Sequence, residues 1–383
     1  MKQHSSKQKK QEDVRGRNQQ IRQMAKRGRL TVGLDLGDRN SRYCILDEAG
    51  EVGSEGQVAT SKGGLSSLLA KMPASRVALE VGTHSPWVSR HIASMGHEVI
   101  VANPHKVKLI TQSVRKNDRI DAVQLARLAR VDPQLLSPIR HRGEAAQADL
   151  AVIRARAALM SARTELINAA RGLSKPMGER LKQCDADQVN ASLGEELSGA
   201  VRTVVEPLLK TVETMTQQLA VFDAEIDEIA KRYPEMKVLT KVYGVGVLIA
   251  LTFILTLEDA ERFEHSRDVG PFLGMQPKQR DSGNSKPELG ISKTGDRLLR
   301  SLLVQGAHCI LRKGAPESDL RRFGESKMKQ GGKKAKRRAV VAVGRKLGVL
   351  LHHLWATGEV YDPNYNRKAA EAAGKQKSRK AAA

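Results

Sequence analysis

Leu30-Thr-Val-Gly-Leu-Asp-Leu-Gly37 is a short apolar run with one acid inside it. Its length and the turn-forming residues beyond it read as a buried β-strand. A carboxylate inside such a strand is expensive unless it is paired or holds a metal ion, which makes Asp35 the most informative residue of the run. Working outward, Arg42 to Asp47 reads as a second strand. Glu48-Ala-Gly50 is a turn signal that lets Glu51 to Gln57 return as a third. Ser61 to Met72 has a helical period. Arg76-Val-Ala-Leu-Glu80 is another buried-type strand ending in an acid, Pro86 to Met95 reads as a helix, and His97 to Ala102 as a fifth strand. The order is that of a mixed α/β domain.

A second acidic pair follows in Lys116-Asn-Asp-Arg-Ile-Asp-Ala122. Asp118 and Asp121 are three apart, and Leu125, Leu128 and Ala129 continue the same helical period, so both carboxylates share one helix face. Like charges so close repel unless a cation lies between them. Lys116 and Arg119 offset part of that repulsion, and both are candidates for nucleic-acid contact. Read alone, the pair is equally a solvated helix start with Asp118 at the positive end of the dipole. If the first and fourth strands are neighbours, Asp35, Glu80, Asp118 and Asp121 can converge. Four carboxylates suit Mg²⁺, which takes oxygen ligands and stabilises the attacking and leaving oxygens of phosphoryl transfer.

Charge narrows the partner. Against 65 Lys and Arg stand 42 Asp and Glu, a net charge of +23, so a polyanion is expected and nucleic acid is the first candidate. No stretch approaches the roughly 18 apolar residues of a membrane span, and residues 1–29 are polar throughout, unlike a signal peptide. Cys44, Cys184 and Cys309 form neither a disulfide framework nor a zinc spacing, so the chain reads as cytosolic. Aromatic residues are only 3% of the chain, which argues against base stacking as its main mode of binding.

From His141 to about Arg232 the pattern changes. Ala146, Leu150, Ile153, Ala157, Met160, Leu166 and Ile167 follow a roughly heptad path, which Leu208, Val212, Met215, Leu219, Phe222 and Ile226 resume after a break. Two long helices able to pair antiparallel are expected, a coiled-coil insert with a structural role. Arg154, Arg163 and Arg171 could touch a nucleic-acid backbone, although a solvated charged face is the simpler view. Further on, Thr240-Lys-Val-Tyr-Gly-Val-Gly-Val-Leu-Ile-Ala250 is a Gly-rich turn opening an apolar helix. It either offers backbone N–H groups to a phosphate or serves helix packing. Arg280-Asp-Ser-Gly-Asn-Ser-Lys286 has the composition of a turn. Ile291 to Arg300 opens another helix, basic on one side, and Ala339 to Trp355 a further apolar one.

Val32-Gly-Leu-Asp-Leu-Gly37, Leu79-Glu-Val-Gly-Thr83 and Lys116 to Ala122 resemble the Asp-Glu-Asp-Asp transposases, insertion-sequence enzymes also described as RNA-guided bridge recombinases. The strand order likewise resembles the RuvC branch of the RNase H-like fold. The resemblance implies that Asp35, Glu80, Asp118 and Asp121 form a Mg²⁺-binding tetrad at the scissile phosphate. It also implies a C-terminal domain with a nucleophilic serine beside a glycine. Ser282, preceding Gly283, matches best, with Ser285 and Ser292 as the other candidates, and Lys293, Arg297 and Arg300 would contact phosphate while Gly295 lets a backbone close. The implied partners are the element's DNA ends and target, a structured non-coding guide RNA, and further copies of the chain in a dimer or tetramer.

The expected architecture is therefore α/β plus α: a basic disordered arm at 1–29, an RNase H-like domain at 30–142, a helical coiled-coil linker at 143–236, a mostly helical C-terminal transposase domain at 237–361, and a basic disordered tail at 362–383. Three other readings compete. A water-using Holliday-junction nuclease would need the tetrad and not Ser282. A sugar-kinase or actin-like ATPase would need a second phosphate loop, which the sequence lacks. A non-enzymatic basic binding protein leaves Asp35 unexplained.

Overall fold

The apolar run around Asp35 forms β1, Thr31–Asp35, the central strand of a five-stranded sheet. The computed structural model describes residues 16, 19–104, 118–279, 289–332 and 334–368, with backbone alone at 118–120. It contains two compact units, Met1–Glu144 and Ala145–Ala383.

In the first unit β2 (Asn40–Leu46), β3 (Val52–Ala59), β4 (Arg76–Glu80) and β5 (Glu98–Ala102) complete the sheet, in the order β3-β2-β1-β4-β5. β1 pairs antiparallel with β2 and parallel with β4, and β4 pairs parallel with β5. Side chains alternate between the two faces. Val32, Leu34, Val77 and Leu79 enter one core with α2 (Lys62–Leu69) and α3 (Ser85–Ala93). The opposite face presents Gly33, Cys44, Leu46, Ala78 and Ile100. It is covered by α4 (Asp118–Val131) through Ala122, Leu125, Ala126 and Ala129. The small residues on both sides of this second layer let the helix lie close to the sheet.

Part of the expected N-terminal arm is folded. Residues 19–25 form a helix, α1, whose Ile21 and Met24 are buried in the first core, with the Met24 thioether against Gly53. The pattern Ile21, Met24, Ala25 is an amphipathic stripe inside a basic segment, and burying it outweighs the surrounding charge, which faces outward. Residues 1–15 lie outside the described part of the chain.

In the second unit α5 (Glu144–Ser174) and α6 (Gly199–Ala230) form an antiparallel hairpin. Arg156 pairs with Asp223, Arg163 reaches Thr216, and Ile167 and Ala170 share a cluster with Val205, Leu209 and Val212. Short 3₁₀ turns join the helices and cap this end of the hairpin with Val189 and Leu193. At the other end Leu150, Ile153, Ile226 and Ile229 belong to one core with α7 (Val247–Leu257), α8 (Arg297–Leu311), α9 (Asp319–Lys329) and α10 (Ala335–Thr357). Every residue of α7 from Ile249 to Leu257 is buried, as its unbroken apolar sequence requires.

The expected disordered tail is likewise ordered at its start. The Pro363 carbonyl accepts from the Asp319 amide at 2.7 Å, and the Asp319 carboxylate accepts from Asn366 N–H, also at 2.7 Å. Residues 362–368 are thus tied to the first turn of α9. The helix expected to open at Ile291 begins at Arg297, because Asp296 caps it by accepting from Leu299 N–H at 2.9 Å.

Candidate active site

β1 and β4 end side by side on their acids. Leu34 is the register partner of Leu79, so Asp35 and Glu80 are the next residues of adjacent parallel strands, and both lie half-buried on the face that α4 covers. The helix runs against the strands. Arg76, at the start of β4, donates from Nη1 to the Ala129 carbonyl at 2.9 Å. Gly33, two residues short of Asp35's level, sits beneath Ala122 and Ala126. Two strand residues span about 6.6 Å, which about four helix residues match. Continuing that step brings the ends of β1 and β4 level with the first turn of α4, where Asp118 and Asp121 stand.

The fold thus assembles at one end of one sheet face the backbone positions of all four acids read from the sequence. Asp35, Glu80 and Asp121 are half-buried. Asp118 begins α4, and its side chain, like that of Arg119, lies outside the described part, as does all of Lys116. Among the described residues no three His, Cys, Asp or Glu side chains stand close enough to hold a metal ion. The donor set itself fits a hard divalent cation: carboxylate oxygens from two neighbouring strands and one helix face, with neither Cys nor His among them.

The second unit carries the other candidates. Residues 274–279 and 289–295 form a short ribbon. Lys293 N–H donates to Gly274 O at 2.9 Å, Ser292 N–H to Gln276 O at 2.9 Å and Lys278 N–H to Gly290 O at 3.0 Å, and Pro277 bridges Ile291. This ribbon carries residues 280–288, and both Ser282 and Ser285 lie in that segment, outside the described part. Ser292 stands on the ribbon itself, its hydroxyl 3.2 Å from that of Thr294.

Lys293 and Arg297 are exposed beside the ribbon, and Lys293 holds a left-handed backbone with φ of 60°. Arg300 is turned inward instead: one guanidinium nitrogen serves the carbonyls of Leu273 and Gly295, and burial lowers its pKa. Gly295 lets a backbone close, but that backbone is its own chain's, because a Cβ there would meet the Phe272 carbonyl oxygen at 2.2 Å. Arg154 reaches across to the Asp296 cap at 2.9 Å.

Arg163 departs from the expectation of nucleic-acid contact. It is only 3% exposed and its guanidinium is engaged with Asp187 at 2.6 Å and Thr216 at 3.1 Å, inside the helical hairpin. It stands three residues after Met160 and four before Ile167, a spacing that points it at the partner helix, so it closes the hairpin rather than facing solvent. Arg171 likewise donates to the Cys184 carbonyl at 3.2 Å. At the Gly-Val-Gly turn, helix packing accounts for Gly244: its φ is 86°, and a Cβ would lie 2.8 Å from the Gly306 carbonyl oxygen of α8.

Comparison with known proteins decides the family. A DEDD transposase family model of the IS110 type matches residues 32–174. The model described as "Transposase IS116/IS110/IS902 family" matches residues 236–323. The chain belongs to this family of DNA transposases. It is 27% identical to a transposase for insertion sequence element IS1111A of Coxiella burnetii, over 86% of this chain and 90% of that one. It is 28% identical to a transposase for IS1328 of Yersinia enterocolitica, over 74% and 84% of the two chains. A probable family 20 transposase of Pseudomonas aeruginosa is 25% identical over 76% and 86%.

The two matched segments of this transposase carry its two groups of candidates. The first holds Asp35, Glu80, Asp118 and Asp121, and the second Ser282 and the ribbon residues that flank it in sequence. Members of this family generally use a divalent metal. No helix among the described residues is long and apolar enough to cross a membrane. Sequence reasoning passed over Asp149 and Asp296. Asp149 is buried and accepts from Arg232 at 2.7 Å and from the Tyr233 hydroxyl at 2.6 Å, joining the base of the hairpin to the chain that leaves it. The available signals were an acid beside Leu150 in a heptad path, and an Asp directly before the run Arg297-Leu-Leu.

Proposed function

We propose that this transposase cuts and rejoins DNA to move its own insertion sequence, using Asp35, Glu80, Asp118 and Asp121 as a Mg²⁺ site and Ser282 as nucleophile. The observation that carries the reading is the position of Asp35 and Glu80, each the next residue after the Leu34–Leu79 pair of adjacent parallel strands, on the face covered by the helix that begins at Asp118. Mg²⁺ held there would neutralise charge developing on the phosphate and its neighbouring oxygens. The carboxylates would bind and orient the ion, and the half-buried position of Asp35 and Glu80 on the face α4 covers limits the water around those two. In the second unit the ribbon of residues 274–279 and 289–295 flanks, in sequence, the segment bearing Ser282. The Ser282 hydroxyl gives up its proton and forms an Oγ–P bond as one P–O bond of the strand breaks. The released hydroxyl end can then attack the phosphoserine, which restores the phosphodiester and frees the serine.

Lys293 and Arg297, both exposed, are the proposed phosphate contacts of this unit. Charge of +23 supports binding of both DNA and a structured guide RNA. The α5/α6 hairpin, with its heptad path, is the proposed coiled coil through which two or four copies assemble. Bringing the acidic tetrad of one copy to the serine of another would complete each site.

Trapping tests the reading. Full-length protein, its flanking non-coding RNA and end-labelled element DNA are incubated with Mg²⁺ and run on a denaturing gel. A protein–DNA adduct is expected, lost in Ser282→Ala and in Asp118→Ala. Cleavage that leaves no adduct and survives Ser282→Ala would instead make the protein a nuclease that uses water.

A further inference from the structure

Two loops follow the acid-bearing strands, and each is stiffened from within. After β1, the turn Leu36 to Arg39 is held to β3 and the segment beyond it. The Thr60 hydroxyl donates to Gly37 O at 2.9 Å, Thr60 N–H donates to Arg39 O at 2.8 Å, and the hydroxyls of Thr60 and Ser41 lie 2.7 Å apart. After β4, Ser85 fixes the turn Val81 to His84. Its hydroxyl accepts from Gly82 N–H at 3.0 Å, lies 2.8 Å from Gly82 O, and meets His141 Nε2 at 2.8 Å. A further contact ties the two loops to each other.

His84 joins them. Its Nε2 lies 3.2 Å from Asp38 Oδ1, and its Nδ1 accepts from the Trp87 indole N–H at 3.1 Å. The indole sits edge-on to the imidazole, with centroids 6.2 Å apart. Because Trp87 donates to Nδ1, that nitrogen carries no proton, so Nε2–H is the donor to Asp38. One ring therefore reads both loops at once, with a donor toward the β1 side and an acceptor toward α3. Asp38 is three residues beyond Asp35, and His84 four beyond Glu80.

We infer that His84, clasped between Asp38 and Trp87, is a positioning residue that fixes the spacing of Asp35 and Glu80 for divalent-metal binding. The inference rests on the proposal that those two acids are metal ligands. His84 has both ring nitrogens engaged and does not itself enter the reaction. Its work is geometric: carboxylates on two strands bind one cation well only when their separation is held. Partners bonded directly to metal ligands are worth about 10–100-fold in affinity, and a tie one step farther out is placed at the low end of that range.

The test is Mn²⁺ binding by the full-length protein, titrated by EPR, with thermal melting as a check on folding. Wild type, Asp35→Asn, His84→Ala and His84→Gln are compared. Glutamine offers one N–H donor and one carbonyl acceptor, the same pattern as the neutral imidazole. Asp35→Asn is expected to abolish the site, His84→Ala to raise the Mn²⁺ Kd about tenfold at unchanged melting temperature, and His84→Gln to recover most of the affinity. Wild-type affinity in His84→Ala, with binding lost in Asp35→Asn, would overturn the inference alone. Equal loss in His84→Ala and His84→Gln would also overturn it, since the hydrogen-bond pattern would then not matter. Wild-type affinity in Asp35→Asn would overturn the proposed metal site, and this inference with it.

Discussion

Gly33 of β1 lies under Ala122 of α4 so closely that a Cβ on Gly33 would stand 1.9 Å from the Ala122 carbonyl oxygen and 2.6 Å from the Ala126 nitrogen. Neither atom is the end of a flexible side chain. Backbone meets backbone there, two residues before Asp35 and one residue after Asp121. Gly33→Ala should therefore lift the helix off the sheet at the level of the acids. Overpacking of this kind destabilises by about 3 kcal/mol. Denaturant unfolding of the purified variant would show it as a fall in midpoint, and a wild-type midpoint would mean that α4 lies farther from β1.

Removing charge at the acids should leave the fold intact and stop the chemistry. Asp35→Asn and Glu80→Gln keep size and hydrogen bonding while losing the anion a divalent cation needs. Strand cleavage of the element ends should fall by about 10³-fold, the scale of losing preorganised electrostatic stabilisation at a phosphoryl centre. Electrophoretic mobility shift should find DNA affinity retained. Cleavage within tenfold of wild type in both variants would remove these acids from the site.

Two arginines named as nucleic-acid contacts should behave oppositely. Arg297 is exposed at the start of α8, and Arg297→Ala should lower the slope of log Kd against log salt by about 0.9, one phosphate contact. Arg163 is buried in the hairpin, and Arg163→Met should leave that slope unchanged. Its effect on stability should stay within about 1.5 kcal/mol, since Met matches the volume and removes a buried charge. Fluorescence anisotropy over a salt series measures both. A reduced slope in Arg163→Met would mean that the hairpin opens when nucleic acid binds.

The joint at the base of the hairpin should show in alkali. Burial, and then the hydrogen bond to Asp149, push the Tyr233 phenol up to about 12. In the unfolded chain the phenol titrates near its ordinary value of about 10. The unfolded state thus loses its proton first, so the stabilisation is complete below about pH 10 and is lost as pH rises toward 12. Urea midpoints of wild type should fall more steeply than those of Tyr233→Phe across that window, and should exceed them below it. Parallel slopes would mean that Tyr233 ionises alike in both states.

Alternation and period alone determined much of this protein. The five strands, the sheet-covering helices, the long helical pair and the apolar α7 and α10 all follow from local apolar patterning, because each must bury one face or, for α7, all of itself. Asp35 and Glu80 were legible as acids ending buried strands, and Asp118 with Asp121 as one helix face. That β1 and β4 are neighbours, and that α4 runs back across them, only the tertiary structure decided. Strand order depends on which faces find each other across long stretches of chain, and a sequence read in windows does not carry it. The inward turn of Arg163 and Arg300, the packing of Gly244 and Gly295 against their own chain, and the folding of residues 19–25 have the same origin. Charge density marked those segments as solvated or as binding surface, but a guanidinium goes where its partner carbonyls and carboxylates are, and a stripe of three apolar residues is enough to seat one face of a basic helix once a core stands beside it.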